Sequence, residues 1–209
     1  DTLNQNRFDK IECNIMILLA GTSPVDSSAL ITDMPVDLFI IITPAKLYSS
    51  RSYERGISLG LFEYERPDGE LKTPFTYFGG LKAQHAVVRE ANYDEALYTS
   101  DNMVLEGTTF SFFCIMDDGM ILTSPADGRI LRSVTRLVLL DVLKKQQLSI
   151  LESDLSIEKV LKCKEAFIAS ANRDVIPVVS IQGNQIGDGL VGENTKSIMS
   201  LYQDIINSI

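Results

Sequence analysis

Apolar residues fall in short runs along this chain, and the spacing of the runs predicts a strand-rich protein. CNIMILLAG (13–21) is an apolar run closed by a glycine and reads as a buried strand. VDLFIIITP (36–44) is a second, rich in isoleucine and stopped by Pro44, with the turn-rich TSPVDSS between the two. YSSRSYERG (48–56) is polar and without period, which places a domain boundary near it. ISLGLFEYE (57–65) partly alternates and gives way to the turn signal RPDGE. Thr73-Pro74 suits a helix entry, with proline in the first turn and a helix over about 75–90.

DEALYTS, NMVLEG, FSFFCIM and MILTS then read as short strands, separated by the hairpin-like connections DN, GT and DDG. SVTRLVLLDVLKKQQ (133–147) is helical, and Lys144 and Lys145 suit the negative end of its dipole. SIEKVLKCK is a short helix, EAFIAS and IPVVSI are strands, and GNQIGDGLVG is a glycine-rich connector. The last segment carries one apolar stripe, Ile198, Leu201, Tyr202, Ile205, Ile206 and Ile209, as a helix packed on the core does.

The chain has 209 residues, enough for one large domain or two small ones. Its 45% hydrophobic content supports a packed core. A formal charge of −9 repels polyanions, which argues against nucleic acid or an anionic membrane as partner. Cys13, Cys114 and Cys163 are odd in number and widely spaced, as reduced thiols of a cytoplasmic protein would be. With His85 the single histidine, no metal site is expected. No apolar run is long enough for a membrane span.

Candidate chemistry gathers in the middle of the chain. Lys72 is expected at a strand end, with Tyr77 five residues on. Glu106 closes another strand ahead of Gly107-Thr108-Thr109. SVTR opens a helix, so its N–H groups and Thr135 form a natural phosphate seat. ASANR (169–173) ends a strand with a hydroxyl, an amide and a guanidinium. A lysine amine, a carboxylate and a phosphate seat are the parts pyridoxal phosphate (PLP) needs, although each part is common by itself.

The segments KTPFTYF, NYDEAL, LEGTTFSFF, LTSP, ILRSVTR, KEAFIAS, IPVVSI and GDGLVG follow one another in order over roughly residues 57–205. In that order they resemble the class IV aminotransferases, the fold-type IV PLP enzymes that include branched-chain and D-amino-acid aminotransferases and aminodeoxychorismate lyase. The resemblance implies a two-domain α/β (α+β) fold, D-amino-acid-aminotransferase-like. Its mixed sheet is partly barrel-like and carries flanking helices. Residues 1–55 would be the remnant of a small domain and linker, and 56–209 the large PLP-binding domain. The family has a full small domain ahead of its lysine, and this chain opens at Asp1, so that domain is expected to be incomplete.

By the same resemblance Lys72 is the Schiff-base lysine, because the family separation counted back from Glu106 lands there (106 − 72 = 34). Lys82 falls within the following helix as a solvated charge. Tyr77 is the partner of the cofactor's phenolic oxygen and Glu106 the partner of its ring nitrogen. Val134, Thr135, Thr109 and Ser170 are cofactor contacts, and Ala171, Asn172 and Arg173 face substrate. The chain departs from the pattern at Ser111, where the family has asparagine, at Arg132-Ser133, and in ASANRDVIP, which lacks a threonine.

The expected activity is amino transfer between an amino acid and a 2-oxo acid, by a cytoplasmic homodimer. The alternatives are an aminodeoxychorismate lyase, toward which Arg173 leans, and a non-catalytic relative that keeps the fold.

Overall fold

The computed structural model describes residues 11–21, 36–45 and 48–208. Its contacts divide into two units, Asp1–Leu47 and Tyr48–Ile209.

The described part of the first unit is an antiparallel ribbon of β1 (Cys13–Gly21) and β2 (Val36–Pro44), with Cys13 opposite Pro44 and Gly21 opposite Val36. The strands form where their apolar runs predict. They are not buried, however: Ile17 is 68% exposed, Leu19 66% and Leu38 59%. An apolar run selects extended backbone, but burial needs a second layer, and neither strand carries a fully buried residue.

The second unit is built on a ten-stranded mixed sheet. Helix α1 (Ser50–Arg55) leads into β3 (Ile57–Glu63). An irregular loop follows, then a 3-10 turn over Pro74–Tyr77, helix α2 (Phe78–Ala83) and a π-helical segment over Gln84–Glu90. Strands β4 (Glu95–Ser100), β5 (Met103–Gly107), β6 (Ser111–Ile115) and β7 (Ile121–Thr123) come next. After them stand α3 (Val134–Lys145), β8 (Ile150–Glu152), β9 (Leu155–Ser156) and α4 (Ile157–Leu161). The chain closes with β10 (Glu165–Ser170), β11 (Asp174–Ile181), β12 (Asn184–Gln185) and α5 (Glu193–Asn207). Strand order is β8-β7-β6-β10-β11-β3-β4-β5-β9, with β12 paired to β11. The pairs β11–β3, β3–β4 and β7–β8 are parallel and the rest antiparallel.

Period-two alternation sorts the side chains to the two faces. Phe112 and Cys114 join one buried cluster with Leu59, Leu97, Ile168 and Ile176. Phe113 and Ile115 join another with Leu139, Leu143, Ile198 and Tyr202, which seats α3 and α5 on the opposite face. Phe113 stacks on Phe167 at 4.8 Å between centroids. Strand β10 is buried along its whole length, in keeping with its central place and its covering on both faces.

Two of the three expected hairpins form. Asp101 and Asn102 both take positive φ (49° and 64°) and join β4 to β5, and the DDG segment joins β6 to β7 with Gly119 at φ 81°. The third does not. Gly107-Thr108 turns a corner instead, closed by Gly107 N donating to Phe110 O at 2.9 Å, and β5 and β6 are not partners. A Cβ at Gly107 would stand 2.0 Å from the Phe110 ring. Gly107→Ala is therefore expected to cost about 1–3 kcal/mol of stability through overpacking. Urea unfolding of the variant measures it, and a loss below about 0.5 kcal/mol would show that the ring moves aside freely.

Candidate active site

Lys72 stands in a loop and not at the end of a strand. Strand β3 stops at Glu63, and Pro67-Asp68-Gly69 turns the chain before Lys72 is reached, with Asp68 at φ 49° and Leu71 N donating to Asp68 O at 2.8 Å. Proline lacks the ladder donor that would extend the strand. Thr76 Oγ1 donates to Leu71 O (3.1 Å) and Thr73 O (2.9 Å), binding the loop to the 3-10 turn. The Lys72 side chain is exposed, and among the described residues its ammonium has no ion pair. Five residues on, Tyr77 ends the 3-10 turn and is half-buried.

Arg66, which the sequence reading did not single out, joins these parts. It is 5% exposed, donates to Gly69 O at 2.7 Å, pairs with Glu106 Oε1, and lies 5.0 Å over the Tyr77 ring. The other oxygen, Glu106 Oε2, accepts from Leu131 N at 3.2 Å, just ahead of α3. Burial pushes the Glu106 carboxyl up to about 7, against the opposing pull of the Arg66 charge and the bond from Leu131. The loop that carries Lys72, the Tyr77 ring, the Glu106 carboxylate and the approach to α3 thus form one connected site.

That acidity fixes a direction for stability. A carboxyl in the unfolded chain titrates near about 4.3, so between that value and about 7 the folded protein holds a proton that the unfolded one lacks. Stability from this group is full at low pH and falls as pH rises through the window, by about 4 kcal/mol at most. Urea unfolding at pH 5 and pH 8 should show the fall. Glu106→Gln should remove this part of the slope.

The segment expected to seat a phosphate does open a helix, α3. Ser133 caps α3, its Oγ accepting from Arg136 N at 3.4 Å. Val134 is exposed in the first turn, and Thr135 is buried beside the Tyr202 phenol. Ser170 is buried with its hydroxyl 3.1 Å from Asn172 Oδ1, while Ala171 and Asn172 stand exposed in the turn closed by Arg173 N donating to Ser170 O.

Arg173 is not a free cation. It is 8% exposed and donates from Nε to Tyr48 OH (2.8 Å), from Nη1 to Thr109 Oγ1 (2.6 Å) and Thr109 O (3.3 Å), and from Nη2 to Glu95 Oε1 (3.0 Å). Glu95 also accepts from Tyr48 OH and, at Oε2, from Gln84 Nε2 (3.1 Å). Sequence reading found Thr109 and Arg173 separately but not their meeting. Glu95 lay within the quoted NYDEAL, and that was its only signal.

Two buried polar atoms near Glu106 in space or in sequence lack a partner among the described residues, Arg66 Nε and Ser111 Oγ. A cavity of about 330 Å3 lies apart from all of these groups, lined by Ile115, Ile121, Gln146, Leu148, Ser197 and Leu201.

A family model described as amino-transferase class IV matches residues 2–181. The chain belongs to the class IV aminotransferase family. It is 33% identical over 120 residues to a D-alanine aminotransferase of Bacillus licheniformis, a match that covers 57% of this chain and 42% of that one. A D-alanine aminotransferase of Staphylococcus haemolyticus is 31% identical over 130 residues, covering 62% of this chain and 45% of its own. The chain thus spans less than half the length of these curated relatives. Among solved structures, the fold is similar to that of the Escherichia coli branched-chain amino acid aminotransferase, with a TM-score of 0.82 at 22% identity, covering 95% of this chain and 66% of that one. The branched-chain enzyme of Thermobaculum terrenum, solved in its PLP form, gives 0.83 at 21% identity over 98% of this chain and 68% of its own. These likenesses show a mixed α/β, fold-type IV architecture.

Proposed function

We propose that this chain carries the PLP-holding site of an aminotransferase that moves an amino group between an amino acid and a 2-oxo acid. The observation that carries the reading is Glu106, a buried carboxylate with both oxygens already oriented, in a fold shared with the family's solved members. The residues fit the cofactor. A carboxylate has about four acceptor positions, and one is taken here on each oxygen, so Glu106 keeps room for a ring N–H.

When bound, PLP supplies an electron sink for the charge left when a substrate carbon loses its proton. Lys72 Nζ, on an exposed side chain without an ion-pair partner among the described residues, would tether the cofactor and move the proton at substrate Cα. Glu106 would hold the proton on the ring nitrogen, and Tyr77 would orient the ring. Val134, Thr135, Ser170 and Thr109 would hold the phosphate. Ala171 and Asn172 present the exposed turn to substrate. Arg173 supports that turn from below, its charge spent on Glu95, so the lyase alternative loses the free cation that motivated it.

The working unit is read as a cytoplasmic homodimer acting on small molecules, with neither nucleic acid nor membrane as partner. No helix of the described residues is long and apolar enough to cross a membrane.

Borohydride reduction of the protein after incubation with PLP, followed by peptide mass spectrometry, tests the reading. The phosphopyridoxyl mass is expected on the peptide containing Lys72. Its appearance only on Lys82, or on no lysine, would end the proposal.

A further inference from the structure

The Glu106 carboxylate has an internal cation that neither the sequence motifs nor the family match assigns. Arg66 arrives from the irregular loop between β3 and the 3-10 turn, forty residues away in sequence from its partner. Its burial is nearly complete, with 4% of the side chain exposed against 7% for Glu106. One guanidinium touches three things at once: the carboxylate, the face of Tyr77 and the carbonyl of Gly69 in the turn before Lys72. Those are a residue at each edge of the proposed ring site and the loop that carries its lysine. A carboxylate in such a place could instead turn away or take up a proton, since burial penalises its charge. Arg136 from α3 and the Tyr98 phenol from β4 are the other titratable groups whose fields reach Glu106. Neither donates a hydrogen bond to it among the described residues.

We propose that Arg66 is the positioning residue of this site: it fixes the orientation and the negative charge of Glu106 before a pyridine ring arrives, and through Tyr77 and Gly69 it locks the Lys72 loop to that carboxylate. The inference rests on the reading of the site as a PLP seat, but its first consequence needs no cofactor. Removing the cation leaves Glu106 a buried acid with the Leu131 N–H and the Arg136 field to hold its charge. The acid then stays protonated to higher pH. Restoring a positive charge with lysine returns part of the effect, whereas a neutral residue of similar length does not.

The experiment compares wild type, Arg66→Gln, Arg66→Lys and Glu106→Gln, each folded and free of cofactor, by urea unfolding from pH 5 to pH 9. Wild type should lose stability with rising pH and level off just above pH 7, and R66Q should continue to lose it up to pH 9. R66K should lie between them. E106Q and the double variant R66Q/E106Q should share one profile that lacks the fall assigned to Glu106. In parallel, equilibrium binding of PLP is followed by absorbance. R66Q is expected to bind about tenfold more weakly at pH 8, the loss of one charge-assisted contact, with much of the affinity recovered in R66K. If R66Q keeps the wild-type pH profile, Arg66 does not hold the charge of Glu106 and the inference is wrong. If the profiles behave as stated but wild type binds no PLP, the positioning pair stands and the reading of the site as a PLP seat fails.

Discussion

Replacing Lys72 by alanine is expected to lower amino transfer at least about a thousandfold, the scale set by losing a covalent anchor and a proton carrier in one step. Glutamate-dependent formation of product from a 2-oxo acid measures it. The comparison that gives the number meaning is Lys82→Ala. Lys82 is exposed on α2 and lies 5.3 Å over the Phe78 ring, a surface contact with no link to the site. Its loss should leave the rate within about twofold, since exposed substitutions away from such features change little. K72A should also remain as stable as wild type, because the exposed ammonium has no ion-pair partner among the described residues to lose. A K72A protein that retains a tenth of the wild-type rate would sink the assignment of this lysine.

The largest loss of stability should come from Glu95→Ala. Arg173 is 8% exposed and Glu95 4%, so the variant strands a guanidinium in the interior with Tyr48 and Thr109 as its remaining partners. Breaking a buried pair from one side costs about 3–5 kcal/mol. For a domain of this size that corresponds to a fall in Tm of about 10 °C. The Tyr48 phenol, which burial and then the Glu95 carboxylate raise to about 12, should ionise at lower pH in the variant. Removing both members, as Glu95→Ala with Arg173→Met, should cost less than the two single changes added together, because no charge is then left alone. Additive losses in that cycle would mean that the two side chains stabilise the fold independently.

The parts legible in the sequence were those that local pattern determines. Strands β4 to β7, β10 and β11, the helix after Ser133 and the final amphipathic helix all lie where period and turn residues put them. The Asp101-Asn102 turn was readable because two adjacent positive-φ positions suit those residue types. Helix α1 was not: six residues make under two turns, and Ser50–Arg55 shows no apolar period and buries no residue. The stretch expected as one helix over 75–90 is broken into 3-10, α and π segments, a difference of hydrogen-bond register that side-chain pattern does not encode. At the candidate site, the family resemblance singled out Lys72, Tyr77 and Glu106. It could not find Arg66 beside Glu106 or Arg173 beside Glu95, because each pair is closed by sheet topology across 40 and 78 residues.

The β1–β2 ribbon has a consequence for handling. Isoleucine and leucine are exposed on both of its strands and Phe39 on the second, and a two-stranded pair is marginal in water. Purified samples of this chain should therefore show reversible light scattering that grows with concentration and salt and clears in mild detergent. The changes Ile17→Lys and Phe39→Lys should quiet it.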